Sequence, residues 1–225
     1  NRIIEKQIHI LNEKEIMPYI IKEIIEYILK LQNKDIKFED LYIILKQDKT
    51  KYKENIAFLA QFFKTINIVT PNLKTYQKLA NKLMEKYGVI LTVTNNKKKS
   101  LRKAKWIVNF DMTAEEIKKY TIFQKSTIIY VEQDGVYTGN AFEGIHILKA
   151  GIDISEEIKH YFRRQFLLPQ FSVTVLYESI LINKKSFNAV REQMAKDRLK
   201  ITNLYGIRGI LSKKELEKER IYDNN

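Results

Sequence analysis

The sequence contains no cysteine and only three histidines among its 225 residues. The absence of cysteine excludes a disulfide framework, a thiolate metal site and a cysteine nucleophile, and it fits a reducing compartment. His9, His146 and His160 lie far apart in the sequence. This spacing argues against a histidine-rich metal site.

Long apolar runs and catalytic motifs are also missing. No stretch approaches the roughly 18 consecutive apolar residues of a membrane span. Residues 1–6 carry both acids and bases, and no apolar signal-peptide core is found at the start of the sequence. The sequence has no nucleophile elbow, no zinc-protease motif and no P-loop. These absences predict a cytoplasmic protein without membrane contact, and they favour binding over catalysis.

The most abundant charged residue is lysine, and the formal net charge is +13. Such a charge is typical of nucleic-acid-binding proteins. Lysine, isoleucine, asparagine and tyrosine are abundant together, however, as an AT-rich coding sequence would produce. We interpret the charge as a solvated lysine-rich exterior, and nucleic-acid binding through lysine-rich helices such as Lys97 to Lys105 is the alternative.

Short apolar runs alternate with amphipathic stretches through the middle of the chain, as in right-handed βαβ units. The runs predict strands at residues 41–45, 66–69, 89–93, 106–109, 127–131 and 145–148. Helices are predicted at residues 51–63, 73–87, 98–104 and 113–120. The pattern predicts an α/β fold of Rossmann-like type, with a mostly parallel six-stranded sheet and helices on both faces.

Helical segments flank this core. Between Met17 and Leu31 the apolar residues recur at three- and four-residue spacing, which predicts a helix that packs on the core or forms a homodimer seam. After Gly151 the alternation stops, helices are predicted from Ser155 and over residues 173–194, and residues 201–211 are weakly strand-like. We divide the chain into an N-terminal helical flank (1–38), a Rossmann-like core (39–152) and a C-terminal helical segment (153–225).

Polar residues follow the predicted strands where each strand ends. In open parallel sheets this edge is where ligands bind. Short polar residues at these positions also serve as helix N-caps, which is the alternative interpretation. The candidates on this basis are Asp48, Lys49, Thr50, Thr70, Asn72, Asn109 and Asp111.

After Thr65 the chain reads INIVTPNLKTYQKLANKLMEKYGVILTVTNNKKKSLRKAKWIVNFD, which ends at Asp111. This segment, residues 65–111, resembles the latter part of the NAD(P)-binding domain of the shikimate dehydrogenase and glutamyl-tRNA reductase families. The resemblance implies that Thr70, Asn72 and Lys74 would read the adenosine ribose or its 2′-phosphate. It places Asn109 to Asp111 near the nicotinamide. The later segment VTVLYESILINKKSFNAVREQM resembles the helix that follows the sheet in shikimate dehydrogenases. This resemblance implies a substrate contact at Tyr177 and Glu178, and a surface or capping carboxylate is the alternative for Glu178.

The sequence departs from this family in its first loop. A dinucleotide site needs glycines there so that the backbone can approach the pyrophosphate, but KQDKTKYKEN contains none. Lys46, Lys49 and Lys51 supply charge instead, and a phosphate could cap the helix at Thr50. NAD(P) therefore stays a possible cofactor without its glycine fingerprint, and the family's catalytic substrate domain has no counterpart before the first strand.

Three glycines cluster in DGVYTGNAFEG, between the fifth and sixth predicted strands. A flexible loop at this position could contact a substrate through Tyr137, Thr138 and Asn140; a long turn is the alternative. The sequence thus favours a non-redox protein that binds a nucleotide or small phosphorylated ligand. A regulatory scaffold with a protein partner or a homodimer is the second hypothesis, and nucleic-acid binding is the third.

Overall fold

The computed structural model describes residues 13–132, 135–139, 142–165, 172–181 and 186–218. Its central element is a six-stranded sheet in the order β3-β2-β1-β4-β5-β6, with every neighbouring pair parallel. The strands are β1 (Asp40–Ile44), β2 (Thr65–Val69), β3 (Ile90–Thr94), β4 (Trp106–Asn109), β5 (Thr127–Tyr130) and β6 (Ile145–Ile147). This is the Rossmann order, and the predicted fold class is confirmed.

The helices of the described part of the chain pack around this sheet and around a smaller one. They are α1 (Ile21–Leu31), α2 (Thr50–Leu59), α3 (Leu73–Tyr87), α4 (Ala114–Ile117), α5 (Glu156–Gln165), α6 (Val173–Leu181), α7 (Phe187–Lys196) and α8 (Lys213–Glu217). Short 3₁₀ turns, Met17–Tyr19 and Ile36–Phe38, precede α1 and β1. None of these helices is long and apolar enough to cross a membrane.

The two faces of the parallel sheet are covered differently. Alternate side chains of a strand point to opposite faces, so Leu41 and Ile43 of β1 join a large core while Ile44 joins a small one. The large core includes α1, α2, α3 and the C-terminal helices. The small core is covered by α4 and by irregular segments that contribute Leu101 and Ile122.

The predicted helix at Met17 to Leu31 is confirmed in its α-helical part, from Ile21. Its apolar stripe is buried against the rest of the same chain: Ile24 and Ile25 are 0% exposed. The stripe is therefore part of the monomer's core and is not presented to a second copy. The end of α3 at Gly88 also follows the sequence, since Gly88 adopts the left-handed conformation (φ +67°) that suits a helix C-cap.

One predicted helix is wrong. Residues 97–103 form consecutive turns, and Asn96 Oδ1 accepts hydrogen bonds from the backbone N–H groups of Lys98 and Lys99 at 3.1 Å each. The buried residues Leu101 and Ala104 fix the segment to the small core. Repulsion between neighbouring lysines opposes a helix here, while the turns satisfy the same burial.

A second, antiparallel sheet pairs the end of the predicted core with strands of the C-terminal segment. Its strands are β7 (Lys149–Asp153), β8 (Lys200–Gly206) and β9 (Gly209–Ile210), in that order. The strand-like pattern over residues 201–211 is thus confirmed, whereas β7 was not predicted. The helical stretch from Val173 to Met194 is two helices, and Ser186 begins the second by accepting a hydrogen bond from the Ala189 N–H at 3.2 Å.

Candidate functional site

The strand order reverses between β1 and β4, so the crevice above their carboxyl ends is where a Rossmann sheet binds its ligand. In this chain Asp111, just beyond β4, points its carboxylate at the loop that follows β1. Asp111 Oδ1 accepts a hydrogen bond from the Lys46 N–H at 2.7 Å, and Oδ2 accepts one from the Gln47 N–H at 2.9 Å. An internal anion therefore occupies backbone donors of the kind that bind phosphate in other Rossmann proteins.

Asp111 is only 2% exposed. Burial raises the pKa of its carboxyl above the ordinary value, although the Lys46 and Gln47 N–H groups and the charges of Lys46 and Lys49 oppose that rise. Because each oxygen faces an N–H donor, the ionised form is the one that satisfies both donors. The carboxylate thus fastens the β1–α2 loop to the end of β4.

A second acidic residue closes the crevice from β5. Glu132 Oε2 lies 2.5 Å from Lys49 Nζ and accepts a hydrogen bond from the Tyr52 hydroxyl at 2.7 Å. Burial raises the pKa of Glu132, but the bonds from Lys49 and Tyr52 outweigh this and hold it below its usual range. The Tyr52 ring packs on Phe110 with ring centroids 4.7 Å apart.

Lys46 and Glu116 add a third cross-link. Lys46 Nζ lies 3.2 Å from both carboxylate oxygens of Glu116. Glu116 also accepts the Thr113 N–H at 2.8 Å, in the capping box of α4. Despite burial, these donors lower the pKa of Glu116. Two of the three lysines that could have met a phosphate by charge, Lys46 and Lys49, are thus paired with acids across the crevice.

The predicted residues after β2 are divided between this network and the surface. Thr70 is buried and its hydroxyl accepts the Asn72 N–H at 3.1 Å, while Asn72 Nδ2 donates to the Lys46 carbonyl at 2.5 Å. Tyr76, which the sequence analysis did not select, donates its hydroxyl to the Gln47 carbonyl at 3.0 Å. Lys74 is exposed on α3.

The other predicted residues of the crevice serve local structure. Asp48 pairs with Lys53 at 2.5 Å, and Thr50 is the first residue of α2. Asn109 is fully buried, and its amide donates to the Met112 carbonyl at 2.8 Å and accepts the Met112 N–H at 2.9 Å. The crevice is therefore built from hydrogen bonds within the chain.

Two of the predicted substrate residues, Tyr137 and Tyr177, lie on opposite faces of the sheet. Tyr177 is fully buried in the large core and donates its hydroxyl to Asp197 Oδ2 at 2.7 Å. Its neighbour Glu178 accepts backbone N–H groups from Glu13 and Ile16 at 3.1 and 3.2 Å, as a capping carboxylate. Tyr137 packs against the small core, on the opposite face of the sheet. Asn140 lies outside the described residues.

Tyr137 and Thr138 do line a cavity of about 550 Å³ at the β6 edge of the parallel sheet. The cavity lies between the glycine-rich segment that precedes β6 and the β8–β9 hairpin. His146, Arg208 and Lys218 also line this cavity, and none of them was predicted as a site residue. The sequence signal near Arg208 is the pair of closely spaced glycines, Gly206 and Gly209, which is typical of a hairpin turn. The other described lining residues are Gly139, Phe142, Glu143, Gly144, Ile145, Ile207, Leu211 and Glu215.

His146 is half-buried and bonded to Tyr130. The Tyr137 N–H donates to the Tyr130 hydroxyl at 3.0 Å, and that hydroxyl lies 3.0 Å from His146 Nδ1. Burial lowers the pKa of His146 to about 4. The imidazole ring is therefore neutral at physiological pH, with Nδ1 engaged by the Tyr130 hydroxyl.

Comparison with known proteins finds no match to this chain among protein-family models or among curated proteins.

Proposed function

We propose that this chain is a non-redox Rossmann-like protein that binds a small phosphorylated ligand in the cavity beside His146. The observation that supports it is the composition of the cavity wall. Arg208 and Lys218 supply cations that suit a phosphate, and the faces of Tyr137 and Phe142 supply apolar contact. A volume of about 550 Å³ is within the range of small-molecule sites.

The polar groups of the same wall indicate the chemical class of the phosphorylated ligand. His146 lines this wall with a neutral imidazole ring, which can form a hydrogen bond with a ligand without repelling a bound cation or adding charge. Glu143 and Glu215 are exposed at the rim, where their carboxylates can accept bonds from hydroxyl groups. A phosphate ester of a sugar or nucleoside carries both the anion and the hydroxyls that such a wall would recognise.

The crevice between β1 and β4 is a less suitable phosphate site than the cavity beside His146. Asp111 accepts the hydrogen bonds of the Lys46 and Gln47 N–H groups. Because the β1–α2 loop has no glycine, each of its residues also adds a side chain beside these N–H groups. A pyrophosphate would have to displace a buried carboxylate. The resemblance to NAD(P)-binding domains is therefore best explained as a shared scaffold, with ligand binding moved to the β6 edge.

Thermal-shift measurements with AMP, ribose 5-phosphate, NAD and inorganic phosphate test the proposal. A ligand at about 100 times its Kd stabilises the native state by about 2.7 kcal/mol, which raises Tm by several degrees. We expect Arg208→Gln to abolish the shift and Lys196→Gln, which removes an exposed charge outside both regions, to preserve it.

Lys49→Gln separates the two regions. Lys49 lies at the switch point, bonded to Glu132, and its loss should leave the shift intact. Loss of the shift in Lys49→Gln but not in Arg208→Gln would place the ligand in the crevice and overturn the proposal. So would the absence of any shift with all four compounds.

A further inference from the structure

Most of the net positive charge of the chain resides in one continuous segment. Residues 70–105 contain ten lysines and arginines and a single acid, Glu85, so this segment carries +9 of the chain's +13. It comprises α3, the edge strand β3 and the turn segment that follows. The charge is thus concentrated at the β3 edge of the sheet.

Helix α3 arranges four lysines as a stripe. Lys74, Lys78, Lys82 and Lys86 are spaced four residues apart, and all four are exposed. Four residues of helix rise about 6 Å, so the stripe is about 18 Å long. None of the four forms an ion pair with another described residue. Like charges at this spacing destabilise a helix, so the stripe is not explained by the stability of α3.

The turn segment that follows β3 extends the positively charged surface of α3. Lys97, Lys98, Lys99 and Arg102 are exposed, and they too have no ion pair within the described part of the chain. The buried side chain of Leu101 and the Asn96 bonds to the Lys98 and Lys99 N–H groups hold this segment in place. The array is therefore carried on fixed backbone.

Several lysines elsewhere are paired with acids. Lys49 pairs with Glu132, Lys53 with Asp48, and Lys159 with Asp153, at 2.5, 2.5 and 2.6 Å. Lysines without an ion pair in the described part of the chain, such as Lys64 and Lys196, also occur outside the basic segment, but they are scattered along the sequence. A uniform lysine coat produced by genome composition would not concentrate the eight exposed, unpaired cations of α3 and residues 97–102 at one edge.

We propose that this basic edge, formed by the α3 stripe and residues 97–102, binds the phosphate backbone of a nucleic acid without reading its bases. Lysines spaced along an extended surface match a linear polyanion, and each phosphate contact releases counterions. An anionic membrane fits less well. The apolar stripe of α3, formed by Tyr76, Ala80 and Leu83, is buried against the sheet, which leaves only the apolar residues Leu73, Met84 and Tyr87 of this helix exposed for contact with a bilayer.

The basic edge and the cavity lie at opposite edges of the parallel sheet. Five strand spacings of about 4.8 Å separate β3 from β6, which is about 24 Å. The two proposals can therefore succeed or fail separately.

Fluorescence anisotropy with labelled single-stranded RNA, single-stranded DNA and duplex DNA of about 20 nucleotides tests the inference. We expect binding at about 50 mM salt that weakens steeply towards 200 mM, with log Kd linear in log salt. In the triple variant Lys78→Gln, Lys82→Gln, Lys86→Gln, affinity should fall about tenfold or more, and the salt slope should fall by about 2 to 3. Glutamine keeps the helix propensity of lysine.

The matched control removes the same charge elsewhere. Lys196→Gln, Lys200→Gln, Lys214→Gln replaces three exposed lysines outside the basic edge, and both triple variants have a net charge of +10, three below the +13 of the natural chain. The control should keep the natural slope. An equal loss in both triples, no binding at about 50 mM salt, or tighter binding to phosphatidylserine vesicles or an acidic peptide would overturn the inference.

Discussion

At the scale of single residues, the polar side chains at the strand ends bind this chain's own backbone. Asp111 and Asn109 are fully or almost fully buried, and all the bonds described above run to neighbouring loops. Buried polar groups must find partners, and here the nearest donors are those of the β1–α2 loop. The same residue types that bind ligands in related sheets therefore hold loops of this chain in place through hydrogen bonds.

Asp111→Asn should lower the free energy of unfolding by about 1–3 kcal/mol. An amide has one acceptor oxygen, so its NH₂ group would face one of the two N–H donors and leave that donor unpaired. Urea unfolding at neutral pH measures the change. Asp48→Asn is the control, because it breaks only an exposed ion pair and should cost less than about 1 kcal/mol. Equal stability of the two variants would contradict the assigned role.

His146 predicts a loss of stability at acidic pH. Its pKa is lowered from an ordinary 6.5 to about 4 by burial, so the unfolded chain binds a proton between these values and the folded chain does not. The free energy of unfolding should therefore fall as pH falls through this window, by up to about 3 kcal/mol from this residue.

Chemical unfolding at pH 7 and at pH 4.5 measures this effect. His146→Gln should remove that part of the pH dependence, since glutamine cannot titrate but can accept the Tyr130 hydroxyl proton. His160→Gln, on the exposed face of α5, should retain it. A pH dependence that is identical in His146→Gln and the natural chain would refute the argument.

The sequence predicts the position of these polar residues in the fold, but it does not predict the groups to which they are hydrogen-bonded. Polar residues after parallel strands necessarily meet at one sheet edge, so Thr70, Asn109 and Asp111 could be selected from position alone. Whether the Lys46 and Gln47 N–H groups face solvent or Asp111 depends on the path of the loop. That path is set by tertiary contacts such as the bond from Tyr76 to the Gln47 carbonyl.

At the scale of elements, the sequence predicts the strands and helices whose formation depends on residues close to one another in the chain. The six parallel strands and α3 follow from apolar runs and amphipathic spacing, and the capping box at Thr113 marks the start of α4. Strand β7 was not predicted because its partner β8 lies about 50 residues away in the sequence and no local signal carries that pairing. The turns at residues 97–103 were mistaken for a helix because lysine has a high helix propensity.

Packing between elements explains why the flanks stay attached. Arg191 of α7 makes a bidentate pair with Glu23 of α1, at 2.9 and 2.7 Å, and also donates to the Tyr19 carbonyl. Its guanidinium lies 4.2 Å from the ring centroid of Phe58 in α2. Three elements distant in sequence are thus joined by one side chain, and removing it would leave Glu23 half-buried without its partner.

At the scale of the whole molecule, the division into flanks and core does not correspond to separate hydrophobic cores. One cluster of buried side chains extends from Ile16 to Leu216 and includes the parallel sheet, α1 and the C-terminal helices. The two sheets are also joined directly, because the Leu148 N–H donates to the Tyr205 carbonyl at 2.8 Å. A shared core of this kind predicts cooperative unfolding.

We therefore expect one unfolding transition in urea, with the same midpoint by two probes. Trp106 is the only tryptophan. It is 5% exposed in β4 and donates its indole N–H to Glu39 at 3.0 Å, so its fluorescence reports on the parallel sheet. Far-UV circular dichroism reports on all the helices, including α5, α6 and α7. Coincident curves would establish one cooperative unit, whereas loss of helical signal at lower urea than the tryptophan transition would show that the C-terminal segment unfolds independently and that the shared core does not couple it to the sheet.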